Sequence, residues 1–303
     1  MGHRLVADIG GTKVAVSLMT ADGILKGSTV KPTEKEDPEI LFALFISACD
    51  ELCVVAGLER AHIDGIAIGL PGIVDREKGI AVYQNNLPWH GFPVKDRLME
   101  LFPSAEIEID NDVYMAAWGE YRQRSFHRET MVYLTLSTGI SCAIIHEGKF
   151  IRGAGMAGEI GFSLAGEESL EKHVSGPSME GKGQIAYCNQ ELTLQAIMEL
   201  YYKKDARAVA IVDEAVRALA REVYHTLLLL DPHTIVLGGG VFNHHPPLVA
   251  AVQKELSTYL QHPLFKGKEE RIEASRHKGE AGLWGAFHYL SKREGRLEIV
   301  SDL

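Results

Sequence analysis

Cysteine is scarce in this chain: Cys49, Cys53, Cys142 and Cys188 are the only four, and no two form a Cys-x-x-Cys pair. A chain of this size builds its own core, so they read as buried thiols of a reducing cytosol, not as a disulfide framework. Cys49 and Cys53 stand one helical turn apart, but no further ligands follow at zinc-binding spacing. Core packing is the plainer role for that pair. No apolar run approaches the roughly 20 residues of a membrane helix, so a cytoplasmic protein without a membrane partner is expected. Met1-Gly2-His3-Arg4 leads directly into a strand, so no signal peptide is expected. No block of Lys or Arg is present, and the net charge is −10. That balance argues against a nucleic-acid partner, whose binding rests on neutralised phosphates. What remains is a globular composition, 46% hydrophobic and 24% charged, in 303 residues that suffice for two domains.

Against this background the stretch Asp8-Ile9-Gly10-Gly11-Thr12-Lys13 stands out. It joins the apolar strand Leu5-Val6-Ala7 to the alternating strand Val14–Met19. Glycine in such a turn permits positive φ and lets an anion approach the backbone N–H groups. Asp8 places a carboxylate beside that turn, which suits a Mg²⁺ held through water between an acid and phosphates. A tight hairpin with a solvated Asp is the alternative. The spacing is not that of a Walker A loop.

The first third of the chain reads as strand, turn, strand, turn, strand over 4–32, with Ala21-Asp22-Gly23 as the hairpin turn. Asp37-Pro38 then opens a helix that Gly57 closes. A buried strand, 64–69, runs into Leu70-Pro71-Gly72, where a ligand contact at Gly72 is expected. Residues 83–92 are rich in amides and aromatics, a composition that suits sugar hydroxyls or, alternatively, a surface loop. A short helix over 93–102 comes next. The strand Ala105–Asp110 alternates, with Ile107 and Ile109 expected inward and Glu106 and Glu108 outward. Asn111-Asp112 then starts a helix, where a plain capping role is the competing reading.

The second half repeats this grammar. Met131–Leu136, the turn Ser137-Thr138-Gly139, the strand Ile140–Ile145 and the turn Glu147-Gly148 echo the first lobe. A Gly-rich stretch, 153–161, and a helical stretch, Leu170–Val174, follow. A long helix runs from about 205 to 230, with Val209, Val216, Leu219, Val223 and Leu227 on one face. The strand Thr234–Leu237 ends in Gly238-Gly239-Gly240, before a helix around 247–260. Three glycines there allow a ribose or adenine to lie against backbone, or simply a close strand–helix turn. A last helix covers about 281–292.

Together these pieces resemble the ROK family of sugar kinases and repressors, within the actin/hexokinase/Hsp70 superfamily. Asp8-x-Gly10-Gly11-Thr12-Lys13 resembles the first phosphate motif, Leu134–Ile140 the second, and Ile235–Val241 the adenosine motif. Asn111-Asp112 matches the pair that holds the sugar and removes its proton. Asn86-Leu87-Pro88-x-x-Gly91 resembles the sugar-loop signature. Glu159-Ile160-Gly161 and Ser169–Gly176 align with segments whose glutamates contact the sugar.

The resemblance implies an α/β, two-lobed actin-like ATPase (ribonuclease H-like) fold with mixed five-stranded sheets flanked by helices. The smaller lobe is expected over 1–115, completed by 287–303, and the larger over 116–286. The implied activity is transfer of phosphate from ATP, with Mg²⁺, to a hexose hydroxyl, most simply O6. Asp112 is the implied base. Asn86, Asn111, Glu159 and Glu171 would hold sugar hydroxyls. Gly10, Gly11, Thr12, Thr138 and Gly139 would cradle phosphates, and Gly238, Gly239 and Gly240 would face the nucleoside. Lys13 reads equally as a phosphate ligand or as a solvated lysine at a strand start. A homodimer is the family expectation.

Three departures qualify the match. The family's zinc-binding His is Phe162 here, and Leu164–Ser169 holds no Cys, so no zinc site is expected. Phe162 is instead expected to pack where the zinc loop would hold the sugar-binding segment. The second phosphate turn carries Ser141 and Cys142 where the family has glycines, and positive φ at either would be costly. No helix-turn-helix precedes the strand at residue 4, which favours a kinase over a repressor. A catalytically silent sugar-binding or regulatory protein, and a sugar-independent ATPase, remain the alternatives.

Overall fold

Two glycine turns each open a five-stranded sheet. The computed structural model describes residues 2–84 and 86–294, without the side chains of 291–294. Asn85 of the amide-rich segment and residues 295–303 of the expected lobe-completing tail lie outside the described residues. The chain separates into two compact units, one running to Arg124 and resuming at Glu280, the other Ser125–Gly279.

In the first unit, β1 (His3–Ile9), β2 (Lys13–Thr20) and β3 (Leu25–Pro32) form an antiparallel meander. Helix α1 (Pro38–Ala56) follows as its caps dictate. Asp37 accepts from Glu39 and Ile40 N–H, and Gly57 closes the helix at φ +67°. Strand β4 (Ile63–Leu70) adds parallel to β1. A small hairpin, β5 (Ile73–Asp75) and β6 (Ile80–Tyr83), precedes α2 (Val94–Leu101). Strand β7 (Glu106–Asn111) then adds parallel to β4, and α3 (Asp112–Gln123) leaves its end. The strand order is β3-β2-β1-β4-β7.

Phe45, Leu41 and Leu52 of α1 pack with Ile66, Ile68, Ile107 and Ile109 to form the core on one face. On the other face lie α3 and the last helix, Ala281–Glu294. Leu290 of that helix approaches Gly65 of β4, and Tyr289 bonds Asp110 of β7. The expectation for Glu108 is therefore overturned. It shares the Asp110 face, and that face is covered by the last helix, so Glu108 is buried. Helices α3 and the last helix meet backbone to backbone. A Cβ on Gly285 would stand 1.6 Å from Met115 O, and one on Gly119 would stand 2.5 Å from Ala281 O.

The second unit repeats the plan with β8 (Met131–Leu136), β9 (Ile140–His146) and β10 (Lys149–Ile151) antiparallel. Its long insertion holds the two-residue strands β11 (Leu164–Ala165) and β12 (Glu168–Ser169), then α4 (Leu170–Val174) and α5 (Gly176–Tyr187). It ends with α6 (Leu194–Tyr202) and α7 (Ala206–Leu230). Strand β13 (Thr234–Gly238), α8 (Gly239–His244), α9 (Pro247–Tyr259) and β14 (Ile272–Ala274) complete it. The order β10-β9-β8-β13-β14 reproduces the first sheet's topology, with β13 parallel to both neighbours.

Two expectations are corrected here. The core face of α7 includes Ala208, Ile211, Val212 and Ala215, while Val209 is only partly buried. The expected helix near 247 is present as α9, and the short helix α8 precedes it, beginning within the glycine run at Gly239. Ser141 and Cys142 both lie in extended strand, so no positive φ falls on either. The left-handed residue is Gly158 across from them, at φ +97°, where a Cβ would stand 1.9 Å from Cys142 O. No helix among the described residues is long and apolar enough to cross a membrane.

Candidate active site

In the first unit the candidate residues gather where β1, β4 and β7 end, the usual place for ligands in such sheets. The turn after β1 is closed by Gly10 N–H donating to Lys13 O at 2.9 Å. Thr33 pins it from β3's end, its hydroxyl donating to Gly10 O at 2.6 Å. Thr12 and Lys13 are exposed. Asp8 is half-buried, and burial pushes its carboxyl up while the Lys13 ammonium opposes the shift. Gly282, at the start of the last helix, faces this carboxylate; a Cβ there would stand 3.3 Å from Asp8 Oδ2.

The amide-rich loop lies on that turn. A Cβ on Gly11 would stand 2.6 Å from Asn86 Cβ, so Gly11 is what lets the two segments meet. The loop is anchored by Trp89, fully buried, whose indole N–H donates to Pro38 O at 3.0 Å and whose ring stacks on Phe92 at 4.9 Å. Burying such a ring is worth about 1.5–3 kcal/mol, so the exposed Asn86 sits on a fixed base.

Asn111 and Asp112 mark the junction of β7 and α3. Asn111 is the N-cap: its side-chain oxygen accepts from Val113 N–H at 2.9 Å, and its Nδ2 donates to Gly72 O at 2.9 Å. The side chain thus ties the turn after β4 to the start of α3. Gly72 has φ +73°, and a Cβ there would stand 2.3 Å from Tyr83 O. Its glycine is a packing requirement, and its carbonyl is already engaged by Asn111. Asp112 Oδ1 also lies 2.9 Å from Val113 N–H, in the first turn of α3.

In the second unit, Glu159 and Glu171 come together beside the turn after β8. Glu171 Oε2 accepts from Ile140 N–H at 3.2 Å, and a Cβ on Gly139 would stand 2.5 Å from that oxygen. Gly139 therefore makes room for Glu171. Partial burial raises the Glu159 carboxyl, and the Glu171 charge raises it further. The nearby Cys142 thiol is pushed up to about 12 by burial, with Glu222 and Glu159 adding to the shift. Such a thiol stays protonated and inert.

Phe162 does not pack as expected. Its side chain is 73% exposed, and Leu164 is 76% exposed. The segment is held instead by polar contacts and a small hairpin. Ser163 Oγ lies 3.0 Å from Glu222 Oε2 and 2.7 Å from Ile160 O, both acceptors within reach of its one O–H; Leu170 N–H donates to Ser163 O, and β11 pairs with β12.

A cavity of about 640 Å³ opens beside the same turn, a size suited to a nucleotide-sized ligand. Ser137, Thr138, Gly176 and Gly240 line one end. The three candidate glycines at the end of β13 divide by role. A Cβ on Gly238 would stand 2.4 Å from the Tyr133 hydroxyl, and one on Gly239, at φ +85°, would stand 2.5 Å from Leu136 O. These two serve the close strand–helix turn. Only Gly240 faces the cavity, with nothing nearer to its Cβ position than Ser137 at 3.9 Å. The remaining walls come from α5 and α6, which the sequence reading passed over and which supply Glu180, Glu199 and Tyr202, and from the end of α8, with His244 and His245. Their signal was there: Ser175 and Thr193 cap the two helices, and Leu194, Ile197 and Met198 have helical spacing.

Comparison with known proteins agrees with this geometry. The ROK family profile matches residues 5–293. A glucokinase of Halalkalibacterium halodurans is 26% identical, aligned over 96% of each chain. An N-acetylmannosamine kinase of Yersinia pestis is 26% identical over 94% of this chain and 97% of its own. The crystal structure of a ROK hexokinase from Thermus thermophilus superposes with a TM-score of 0.79 at 26% identity, covering 97% of this chain and all of that one. The chain belongs to the ROK family and has the actin-like ATPase fold of its sugar kinases.

Proposed function

We propose that this ATP-dependent carbohydrate kinase phosphorylates a hexose or hexose derivative at O6. The observation that carries this reading is the seating of Asn86 against Gly11, which brings an amide-bearing loop onto a phosphate-type turn. A phosphoryl group and a sugar hydroxyl would meet there, and phosphoryl transfer is mostly a matter of positioning and charge stabilisation.

Asp112 takes the proton of the attacking hydroxyl, a role worth about 10²–10⁴ in rate. Asn111 acts chiefly as its positioning residue, since its amide is engaged by Val113 and Gly72. Asn86 donates and accepts toward sugar hydroxyls. Glu159 and Glu171 accept hydrogen bonds from other hydroxyls, for which ionised carboxylates are the stronger acceptors. Gly11, Thr12 and Thr138 leave backbone N–H groups and hydroxyls for phosphate oxygens, while the Gly10 N–H closes the turn on Lys13 O. Asp8, a half-buried acid next to that turn, fits a water-mediated Mg²⁺ site; the ion would supply neutralisation of phosphate charge. The cavity beside Thr138 and Gly240 takes the nucleoside. A cytoplasmic homodimer completes the proposal.

A coupled ADP-release assay with MgATP, run over hexoses and N-acetylhexosamines beside Asp112→Asn, tests the reading. Sugar-dependent turnover lost in the variant supports it and names the sugar. Silence across the panel, in folded protein that binds a sugar, turns the assignment to a regulatory role.

A further inference from the structure

The cavity's residues are ordered along its length. At the inner end Ser137 O accepts from Gly176 N–H at 2.9 Å, and the Cβ position of Gly176 lies 3.4 Å from Leu194 and 3.7 Å from Val241. Thus the start of α6 and the start of α8 both meet the turn after β8. The outer end is marked by Tyr202 and His245, whose rings approach to 6.3 Å at 48°. Helix α6 runs between these ends. Gln195 and Glu199 line the wall four residues apart, about 6 Å along the axis, and Tyr202 follows most of another turn on.

A nucleoside triphosphate laid along this wall has its phosphates at Thr138 and Gly240 and its flat base at the Tyr202 and His245 rings. The ribose then falls at Glu199. The lining includes two carboxylates, Glu180 and Glu199, and neither Lys nor Arg. An acid in a cavity for a polyanion is repulsive unless it meets neutral donors. The two acids have different partners. Glu180 Oε2 accepts from Leu194 N–H at 2.8 Å and so caps the start of α6. Among the described residues the Glu199 carboxylate has one hydrogen bond, from Gln195 Nε2 to its Oε1 at 3.4 Å, at the long limit of such a bond. A carboxylate only accepts, and the ribose 2′- and 3′-hydroxyls are donors in reach of such an acceptor.

We propose that Glu199 selects the sugar of the phosphoryl donor, so that the enzyme uses ribonucleoside triphosphates and discriminates against their deoxy forms. The proposal rests on the kinase reading above. Its test is kcat/KM for ATP, 2′-deoxyATP and 3′-deoxyATP at saturating hexose, in the wild type, Glu199→Gln and Glu199→Ala. ATP is expected to exceed at least one deoxy form by about 10- to 100-fold, the size of one charge-assisted hydrogen bond. Glu199→Ala should lower kcat/KM for ATP to the level of that deoxy form, mainly through KM, and leave the deoxy form unchanged. Glu199→Gln, which keeps an acceptor, should recover part of the preference. Equal use of ATP and both deoxy forms by the wild type overturns the proposal while leaving the kinase reading intact. So does an equal loss for all three nucleotides in Glu199→Ala, which is the mark of a structural role. Absence of sugar-dependent turnover with every nucleotide overturns the kinase reading itself.

Discussion

Tyr289 donates its phenolic O–H to Asp110 Oδ2 at 2.7 Å, deep in the first unit. The other oxygen of Asp110 accepts from Asn111 N–H at 2.8 Å. A residue of the last helix thereby holds the strand end that delivers Asn111 and Asp112. Tyr289→Phe removes the donor and leaves a buried carboxylate oxygen without it. Denaturant unfolding is expected to show a loss of about 1–3 kcal/mol. An unchanged midpoint would mean that this bond does not secure the strand end.

Asp112 can be separated from its neighbour by kinetics. Asp112→Asn is expected to lower kcat by about 10²–10⁴ with the fold intact by circular dichroism. Asn111→Ala should also destabilise by about 0.5–2 kcal/mol, because it removes the N-cap of α3. Equal stabilities of the two variants would contradict the division of roles.

The crossing of α3 and the last helix leaves no space for a side chain at Gly285, whose Cβ would meet Met115 O at 1.6 Å. Gly285→Ala should cost about 1–3 kcal/mol or more, as overpacking does, and soluble yield should fall with it. A variant as stable as the wild type would show that the two helices separate freely.

The four thiols should differ in reactivity. Cys49, Cys53 and Cys142 are buried, and burial raises all three. Cys188 is exposed at the end of α5. Iodoacetamide on native protein near neutral pH should label Cys188 first, read by mass spectrometry of peptides. Rapid labelling of Cys142 would contradict its buried, protonated state.

Glu159 gives a pH dependence with a definite sign. Its folded-state pKa is raised by burial and by Glu171, so the folded chain holds this proton more tightly than the unfolded chain. That contribution favours the folded state below the unfolded value and is lost as pH rises from there through the raised folded value. Unfolding free energies from pH 4 upward should therefore decline more in the wild type than in Glu159→Gln. Parallel profiles would remove Glu171 and burial as influences on this group.

Much of the plan is legible in local sequence because local chemistry decides it. Asp37-Pro38 and Gly57 bound α1 through capping and φ preference, whatever packs around the helix. Glu147-Gly148 marks a turn for the same reason, with both residues at positive φ, whereas Gly10 and Gly11 have no positive φ and Gly11 serves the close approach of Asn86. The repeated order of strands and turns already separates two sheets of one topology. The alternation of β7 was equally visible, but its meaning was not. Alternation says which residues share a face, while only the covering helix decides whether the second face meets water, and Glu108 is buried for that reason.

The same limit applies to the site. Sequence determined that glycines follow β13, since only a run of Gly stands there. Tertiary contacts decided that Gly238 and Gly239 clear Tyr133 and Leu136 while Gly240 alone opens on the cavity. The surroundings of Phe162 were likewise not decided locally. Its exposure follows from Ser163 bonding Glu222, a partner 59 positions away on α7. The cavity beside the turn after β8 is built from α5, α6 and α8, and its volume exists only once helices remote in sequence pack around one turn. Short-range propensity fixes where elements begin and end; which side chains meet across them is set by packing, and that is a property of the whole unit.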